Sequence, residues 1–112
     1  MKTSVQPDHR ALAEALRRRV LEGPGRSDPA LRRAAAASAA GGPPAEPPYD
    51  ELARQIGDAA CRTTDAHVAN VLQGTQSEKA AFEVIFAASV GAGLLRWERA
   101  IKALEEVTDA PA

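Results

Sequence analysis

Apolar side chains recur every three to four positions near the start of the chain, which is the spacing of an amphipathic helix. Leu12, Leu16 and Val20 follow one another at four-residue intervals. Asp8 precedes them and is a residue type that caps helices, whereas Gly23 ends the pattern. The spacing predicts a first helix over about 7–22.

A second helix and then a break follow. Ser27 or Asp28 can cap this helix, Pro29 suits its first turn, and an alanine-rich run continues to about Ala40. The segment GGPPAEPP then contains four prolines, which lack backbone donors, so it predicts an extended linker. We expect this linker, residues 41–48, to separate a basic N-terminal helical pair, residues 1–40, from a C-terminal helical unit, residues 49–112.

Three further helices are predicted after the linker. Thr64 and Ser77 are caps for the second and third of them, and Gly74 is the expected left-handed C-cap of the second. The third is nearly apolar all round between Val84 and Leu95, which predicts burial on two sides. The predicted spans are about 49–62, 64–74 and 77–107.

The long helix contains Gly91 and Gly93, and glycine in a helix interior costs roughly 1 kcal/mol relative to alanine. A close helix–helix contact is the compensation we expect. Its partner is either a preceding helix or another subunit.

Composition supports an all-α fold of about five helices. The apolar fraction is 45%, but alanine and leucine supply most of it, and valine and isoleucine are too sparse for several strands. One cysteine excludes an internal disulfide and a cysteine-rich metal site, so no metal or cofactor is expected. Without a signal-like apolar region or 18 uninterrupted apolar residues, we expect a cytoplasmic protein with no membrane partner.

Charge is distributed unevenly along the chain. Residues 1–40 carry eight Lys or Arg against four acids, whereas the remaining 72 residues carry six against eleven. The run Arg17-Arg18-Arg19, with Arg32-Arg33, is the best case for nucleic-acid binding. Because it lacks interleaved aromatics and a helix-turn-helix signature, a solvated or inter-subunit face is the preferred interpretation, and nucleic acid is not expected as a partner.

Cys61 and His67 are the candidate catalytic residues. A thiol can act as a nucleophile, and an imidazole six positions later can act as its base, with Arg62 favouring the thiolate. The alternatives are a small buried apolar cysteine in an alanine-rich helix and a structural histidine in a first turn.

The segment 49–107, with TQSEKAAFEVIFAASVGAGLLRWERAIKAL at its end, resembles the alkyl hydroperoxidase D-like/carboxymuconolactone decarboxylase family. Redox-active members carry E-x-x-C-x-x-C-x-x-x-H, whose cysteines cycle between dithiol and disulfide. Aligning the family histidine with His67 puts Thr63 and Ala60 at the cysteine positions and Gly57 at the glutamate position. Cys61 is one residue from the first cysteine position, so the disulfide cycle is absent.

The resemblance implies a helical fold and a homo-oligomer built by helix packing. We therefore expect a non-redox binding or assembly protein with a degenerate family site and, as a candidate ligand, a small molecule. The alternative is an enzyme, either a one-cysteine thiol peroxidase using Cys61 and His67 or a small-molecule lyase using His67. By resemblance to the cysteine-free branch of the family, a lyase site would combine His67 with a carboxylate and a cation. The candidate carboxylates are Asp58, Asp65 and Glu83, and the candidate cations are Arg54, Arg62 and Arg96.

Overall fold

The computed structural model describes residues 8–109, and this part of the chain folds into five α-helices without a strand. The all-α prediction with about five helices is therefore confirmed. The predicted start at Pro7 and the end of the 49–112 unit lie outside the described residues. The helices are α1 (His9–Glu22), α2 (Pro29–Ala39), α3 (Tyr49–Ala59), α4 (Asp65–Thr75) and α5 (Glu78–Asp109), with a 3₁₀ turn (Ala60–Arg62) between α3 and α4.

Side-chain caps fix the starts of four helices. Asp8 accepts hydrogen bonds from the backbone amides of Arg10 and Ala11, and Asp28, rather than Ser27, caps α2. The Thr64 side chain caps α4, and the Ser77 Oγ accepts from the Ala80 amide at 3.2 Å at the start of α5. These caps confirm the predicted helix starts, because each satisfies amides that have no partner within the helix.

Two predicted helix ends differ from the structure. The helix from Tyr49 ends at Ala59 rather than Arg62, because the chain tightens there into the 3₁₀ turn. Gly74 is not the left-handed cap of α4; Gln76 takes that conformation, with φ of 56°. Gly74 lies inside α4 instead, where a Cβ would come within 2.8 Å of the Tyr49 hydroxyl oxygen.

One core joins both sides of the proline-rich segment. Residues of α2, of segment 41–48 and of the three later helices belong to the same buried cluster, in which Ala35, Leu52 and Val84 are fully enclosed. Ala45 of that segment is buried, and its amide donates to the Asp50 Oδ1 at 2.8 Å. The predicted linker is therefore a folded connection whose two flanking parts share a core.

α5 is the helix around which the others pack. It contacts all four other helices, and α2 lies against it most extensively. At Gly91 an added Cβ would overlap the carbonyl oxygen of Ala36 on α2, so the two backbones approach too closely for any side chain. The close contact expected for the glycines is thus confirmed for Gly91, with a preceding helix as its partner. Gly93 faces open space.

By length and composition, α5 could also cross a membrane. Within the described residues it is the one helix with this property, over Glu78–Thr108 with hydropathy 1.4, and half of its most apolar window is buried in the fold. The core helix of a soluble protein has the same properties.

The turn between α1 and α2 is held by two charged side chains. Glu83 on α5 accepts from the Arg26 amide at 3.0 Å and from the Ser27 amide and hydroxyl at 2.8 and 2.6 Å. Arg32, only 3% exposed, donates to the Val20 and Gly23 carbonyl oxygens at 2.7 and 2.6 Å. These bonds satisfy carbonyls at the end of α1 that the helix leaves unpaired.

The same contacts change the acidity of Glu83. Burial by itself raises the pKa of this carboxyl, but the Ser27 hydroxyl, the Arg26 and Ser27 amides and the Arg32 cation stabilise the carboxylate more strongly. The net effect lowers the pKa of Glu83 from 4.5 to about 2.

The glycines on α5 give a matched test of the α2–α5 contact. We expect Gly91→Ala to lower the free energy of unfolding by about 1–3 kcal/mol, because its methyl group overlaps the Ala36 carbonyl. Gly93→Ala meets nothing and should raise it by about 0.5–1 kcal/mol through helix propensity. Chemical denaturation in dilute solution measures both. Equal effects of the two substitutions would contradict the close contact.

Glu83 should make the fold sensitive to acid. Its folded pKa is depressed, so its contribution is present above about pH 4.5 and is lost as the pH falls towards 2. We expect Glu83→Gln to remove about 1–2 kcal/mol of unfolding free energy at pH 7 and to flatten the loss of stability between pH 4.5 and 2. Urea denaturation across this range measures the effect, with Glu106→Gln, at an exposed position, as the control. A pH profile as steep in Glu83→Gln as in the wild type would show that other carboxylates carry the acid response.

Candidate functional site

An open cleft of about 810 Å³ is lined by the end of α2, by α3, by the start of α4 and by the middle of α5. Its lining is polar on the α3 side and mostly small on the α2 side. The lining residues are Ser38, Ala39, Ala40 and Gly41 from the end of α2, Asp50, Glu51, Arg54, Gln55, Gly57 and Asp58 from α3, His67 from α4, and Leu95 and Arg99 from α5.

His67 lies at this cleft and is part of a capping box. Its backbone amide donates to the Thr64 hydroxyl oxygen at 3.3 Å, and its ring Nδ1 accepts from the Thr64 amide at 3.0 Å. Because Nδ1 is the acceptor, the ring proton of a neutral imidazole is on Nε2. Nε2 forms no hydrogen bond within the described part of the chain, so it can donate to a molecule in the cleft.

Asp50 and Arg54 form an ion pair near the start of α3. Asp50 accepts from the Ser38 hydroxyl at 2.7 Å and the Ala45 amide at 2.8 Å, and the Arg54 Nε donates to it at 3.0 Å. The Ser38 hydroxyl, then the Ala45 amide and Arg54, lower the pKa of Asp50 despite the opposing effect of burial. These contacts tie the segment after α2 to α3 and shape the cleft.

Three further charged residues of the lining remain available to bind a ligand. Across residues 8–109, Glu51, Asp58 and Arg99 take part in none of the ion pairs that the structure contains. The cleft therefore offers two carboxylates, one guanidinium and the His67 donor to a ligand.

Gly57 brings α2 and α3 together beside the cleft. A Cβ at this position would overlap the Ala39 carbonyl oxygen, and the Arg96 Nη2 donates to the Gly57 carbonyl oxygen at 2.5 Å. Any larger side chain here would require α2 to move, which is a physical reason why this chain has glycine.

Cys61 lies apart from this cleft. It is exposed in the 3₁₀ turn and does not contribute to the lining, and the described structure contains no hydrogen bond between its Sγ and His67. Arg62, the expected cation beside it, is exposed as well. His67 thus lines the cleft, whereas Cys61 lies on a surface turn outside its lining.

The carboxylates and cations that were candidates for a lyase site also lie in different parts of the structure. Of the three carboxylates, Asp58 lines the cleft, Asp65 is exposed at the start of α4, and Glu83 is bound by the α1–α2 turn. Of the three cations, Arg54 lines the cleft, Arg96 binds the Gly57 carbonyl, and Arg62 belongs to neither group.

Sequence reasoning missed Ser38, Glu51 and Arg99 as residues of the cleft. The available signal was local spacing, since Arg99 follows Leu95 by four positions and so shares its face of α5. Nothing in the sequence indicated that this face meets the end of α2.

The basic run of the N-terminal half is dispersed among different environments. Arg17 pairs with Glu98 at 3.3 Å, Arg33 pairs with Glu22 at 2.6 Å, and Arg32 is buried at the end of α1. Arg18 lies 3.8 Å from Glu14. Much of this positive charge is therefore paired within the fold.

Comparison with known proteins gives this chain no relative. No family description, curated protein or solved structure matches it. Within the described residues, no group of three or more His, Cys, Asp or Glu side chains is arranged to hold a metal ion. The resemblance to the alkyl hydroperoxidase D-like family therefore stays a prediction.

The position of Cys61 predicts its reactivity. We expect a thiol probe to label the folded protein without denaturant, because the side chain is exposed. We also expect His67→Gln to change the labelling rate by no more than about twofold, since the described residues include no hydrogen bond between Cys61 and His67. Stopped-flow labelling of wild type and variant measures both rates. A large loss of rate in His67→Gln would place the imidazole next to the thiol in solution and contradict the separation.

Proposed function

We propose that this protein is a helical, non-redox binding protein that holds a small acidic molecule in the cleft around His67. The observation that carries the proposal is a set of polar groups that line one cavity and have no partner among residues 8–109, namely Arg99, Asp58, Glu51 and the His67 Nε2. A cleft of about 810 Å³ falls within the range of small-molecule sites.

Arg99 and His67 suit the acidic group of such a ligand. A guanidinium presents paired donors that match a carboxylate, and the His67 Nε2 adds a further donor. His67 is in the first turn of α4, where unpaired backbone amides provide partial positive charge. Both features favour a negatively charged group in the cleft.

Other groups of the lining favour a donor or a cation. Asp58 and Glu51 are carboxylates without an ion-pair partner among residues 8–109, and the last residues of α2 bring the partial negative charge of a helix C-terminus. A ligand with an acidic group and an amino or hydroxyl group would therefore be complementary to both sets of groups.

A lyase is the second candidate, because His67, Asp58 and Arg99 are residue types that acid–base catalysis on an acidic substrate uses. The tautomer of His67 favours binding, since Nδ1 already accepts from Thr64 and Nε2 is a donor rather than a base. A thiol peroxidase would have to act at an exposed thiol outside the cleft.

Titration with small probes tests the binding function. We expect succinate and β-alanine, followed by amide and imidazole NMR shifts, to give saturable changes at His67 and Gly57 in the millimolar range, and butylamine to give smaller ones. Arg99→Gln should weaken succinate binding by about tenfold, because a charge-assisted pair is lost. Arg62→Gln removes an exposed arginine away from the cleft and is the matched control.

Failure of all three probes to saturate would contradict the proposal, as would equal effects of Arg99→Gln and Arg62→Gln. Slow chemical conversion of a bound probe that His67→Gln abolishes would favour the lyase. Peroxide consumption that Cys61→Ser abolishes would favour the peroxidase.

A further inference from the structure

We propose that the outer face of α5 is a docking surface for a second copy of this chain, packed antiparallel about a two-fold axis near Gly93. This face, which we call the α5 seam, points away from α2 and is independent of the cleft. Its members are Phe82, Phe86, Ser89, Gly93, Trp97, Ala100, Leu104 and Val107.

The seam is apolar and largely uncovered. Phe82, Leu104 and Val107 are 63, 60 and 72% exposed, and Phe86 is 44% exposed. Large apolar side chains that remain this exposed in a folded chain mark a contact surface when they are contiguous. The stacked rings of Phe82 and Phe86, with centroids 5.7 Å apart, form one end of the surface.

An 11-residue repeat keeps these positions in line. Phe82, Gly93 and Leu104 are each 11 residues apart, and the same interval separates Phe86 from Trp97. Since 11 residues make three helical turns of about 3.67 residues, the positions stay on one side of a nearly straight helix. From Phe82 to Val107 the seam is roughly 38 Å long at 1.5 Å per residue.

α1 widens the same surface. It runs antiparallel to the end of α5, because Arg10 pairs with Glu105 and Arg17 pairs with Glu98. Successive residues of a helix are rotated by about 100° around its axis. On α1, Leu12 and Leu16 therefore lie about 130° around the axis from the two arginines that pair with α5. On α5, Ala100 and Leu104 lie about 130° from the two paired glutamates, in the same direction of rotation. When two helices lie antiparallel, equal rotations in the same direction from their contact line lead to the same side of the helix pair. The leucines of α1 therefore lie on the same side of the pair as Leu104 of α5.

The exposed area is close to what one partner of a dimer contributes. Leu12 and Leu16 are 58 and 43% exposed and bring the number of large exposed side chains on this side to six. At roughly 100 Å² each, they offer about 600 Å² of apolar surface, near the roughly 800 Å² that each partner buries in a stable complex.

Shape and charge favour a second copy over other occupants. A two-fold axis at Gly93 sets Phe86 against Ala100 of the second copy and Phe82 against Leu104 of the second copy. Large residues therefore flank the point where the two helices cross. At that point Gly93 has no Cβ to keep the backbones apart. The seam carries no charged residue, and the chain has a net charge of only −1, so two copies are not driven apart. An anionic membrane would instead require an excess of basic residues.

Sedimentation equilibrium over 1–200 µM tests the proposal. The wild type should approach twice the 11.8 kDa mass of one chain. Ala100→Glu and Leu104→Glu should weaken the association by at least tenfold, because each puts a charge into the seam. Ala69→Glu makes the same alanine-to-glutamate change at an exposed position of α4 and should leave the association unchanged. Circular dichroism establishes that each variant retains its helices.

A cysteine cross-link tests the position of the axis. In a Cys61→Ser background, Gly93→Cys should oxidise to a covalent dimer, whereas Ala69→Cys should remain monomeric. A wild type that is monomeric throughout the range would overturn the proposal, as would an Ala100→Glu variant that associates like the wild type. A monomer that sediments with phosphatidylcholine vesicles, and loses this property in Ala100→Glu, would assign the seam to a lipid surface and also overturn it.

Discussion

The close approach of α2 and α5 is the constraint on which the rest of the structure depends. It requires a residue without a side chain at Gly91, because Ala36 presents its backbone there, and small residues such as Ala87 surround the contact. Small side chains bury little apolar area individually, so the stabilisation comes from dense backbone packing and its many dispersion contacts. With these two helices fixed, α3 packs against both and closes the core.

The position of α2 then determines the cleft. Gly57 lets the last turn of α2 lie against α3, and the chain leaves α2 through a segment that Ala45 and Asp50 tie back to the core. The end of α2 and His67, in the first turn of α4, thereby line the same cavity. The polar character of the cleft follows from this helix arrangement as much as from its individual side chains.

The two residues that draw attention first in the sequence have different surroundings in the fold. His67 uses its ring to cap its own helix and presents its other nitrogen at the cleft, whereas Cys61 lies on a surface turn. Six positions in sequence include the change from a 3₁₀ turn to a new helix, so sequence proximity implies no shared site. Arg99, 32 positions after His67, lines the cleft with it instead.

The sequence by itself determined the helices, because their signals are local. Apolar spacing, the caps Asp8, Asp28, Thr64 and Ser77, and the scarcity of β-branched residues act within a few positions of each residue, and they gave four of the helix starts closely. Only the tertiary structure decided which glycine serves which purpose. Gly91 and Gly57 meet another helix, Gly74 meets Tyr49, and Gly93 meets nothing within the described part of its own chain. The tertiary structure also decided that the proline-rich segment belongs to the shared core. It decided that Glu83 binds the α1–α2 turn, whereas Asp58 and Arg99 line the cleft. These outcomes depend on contacts between residues far apart in the chain, which local sequence patterns do not specify.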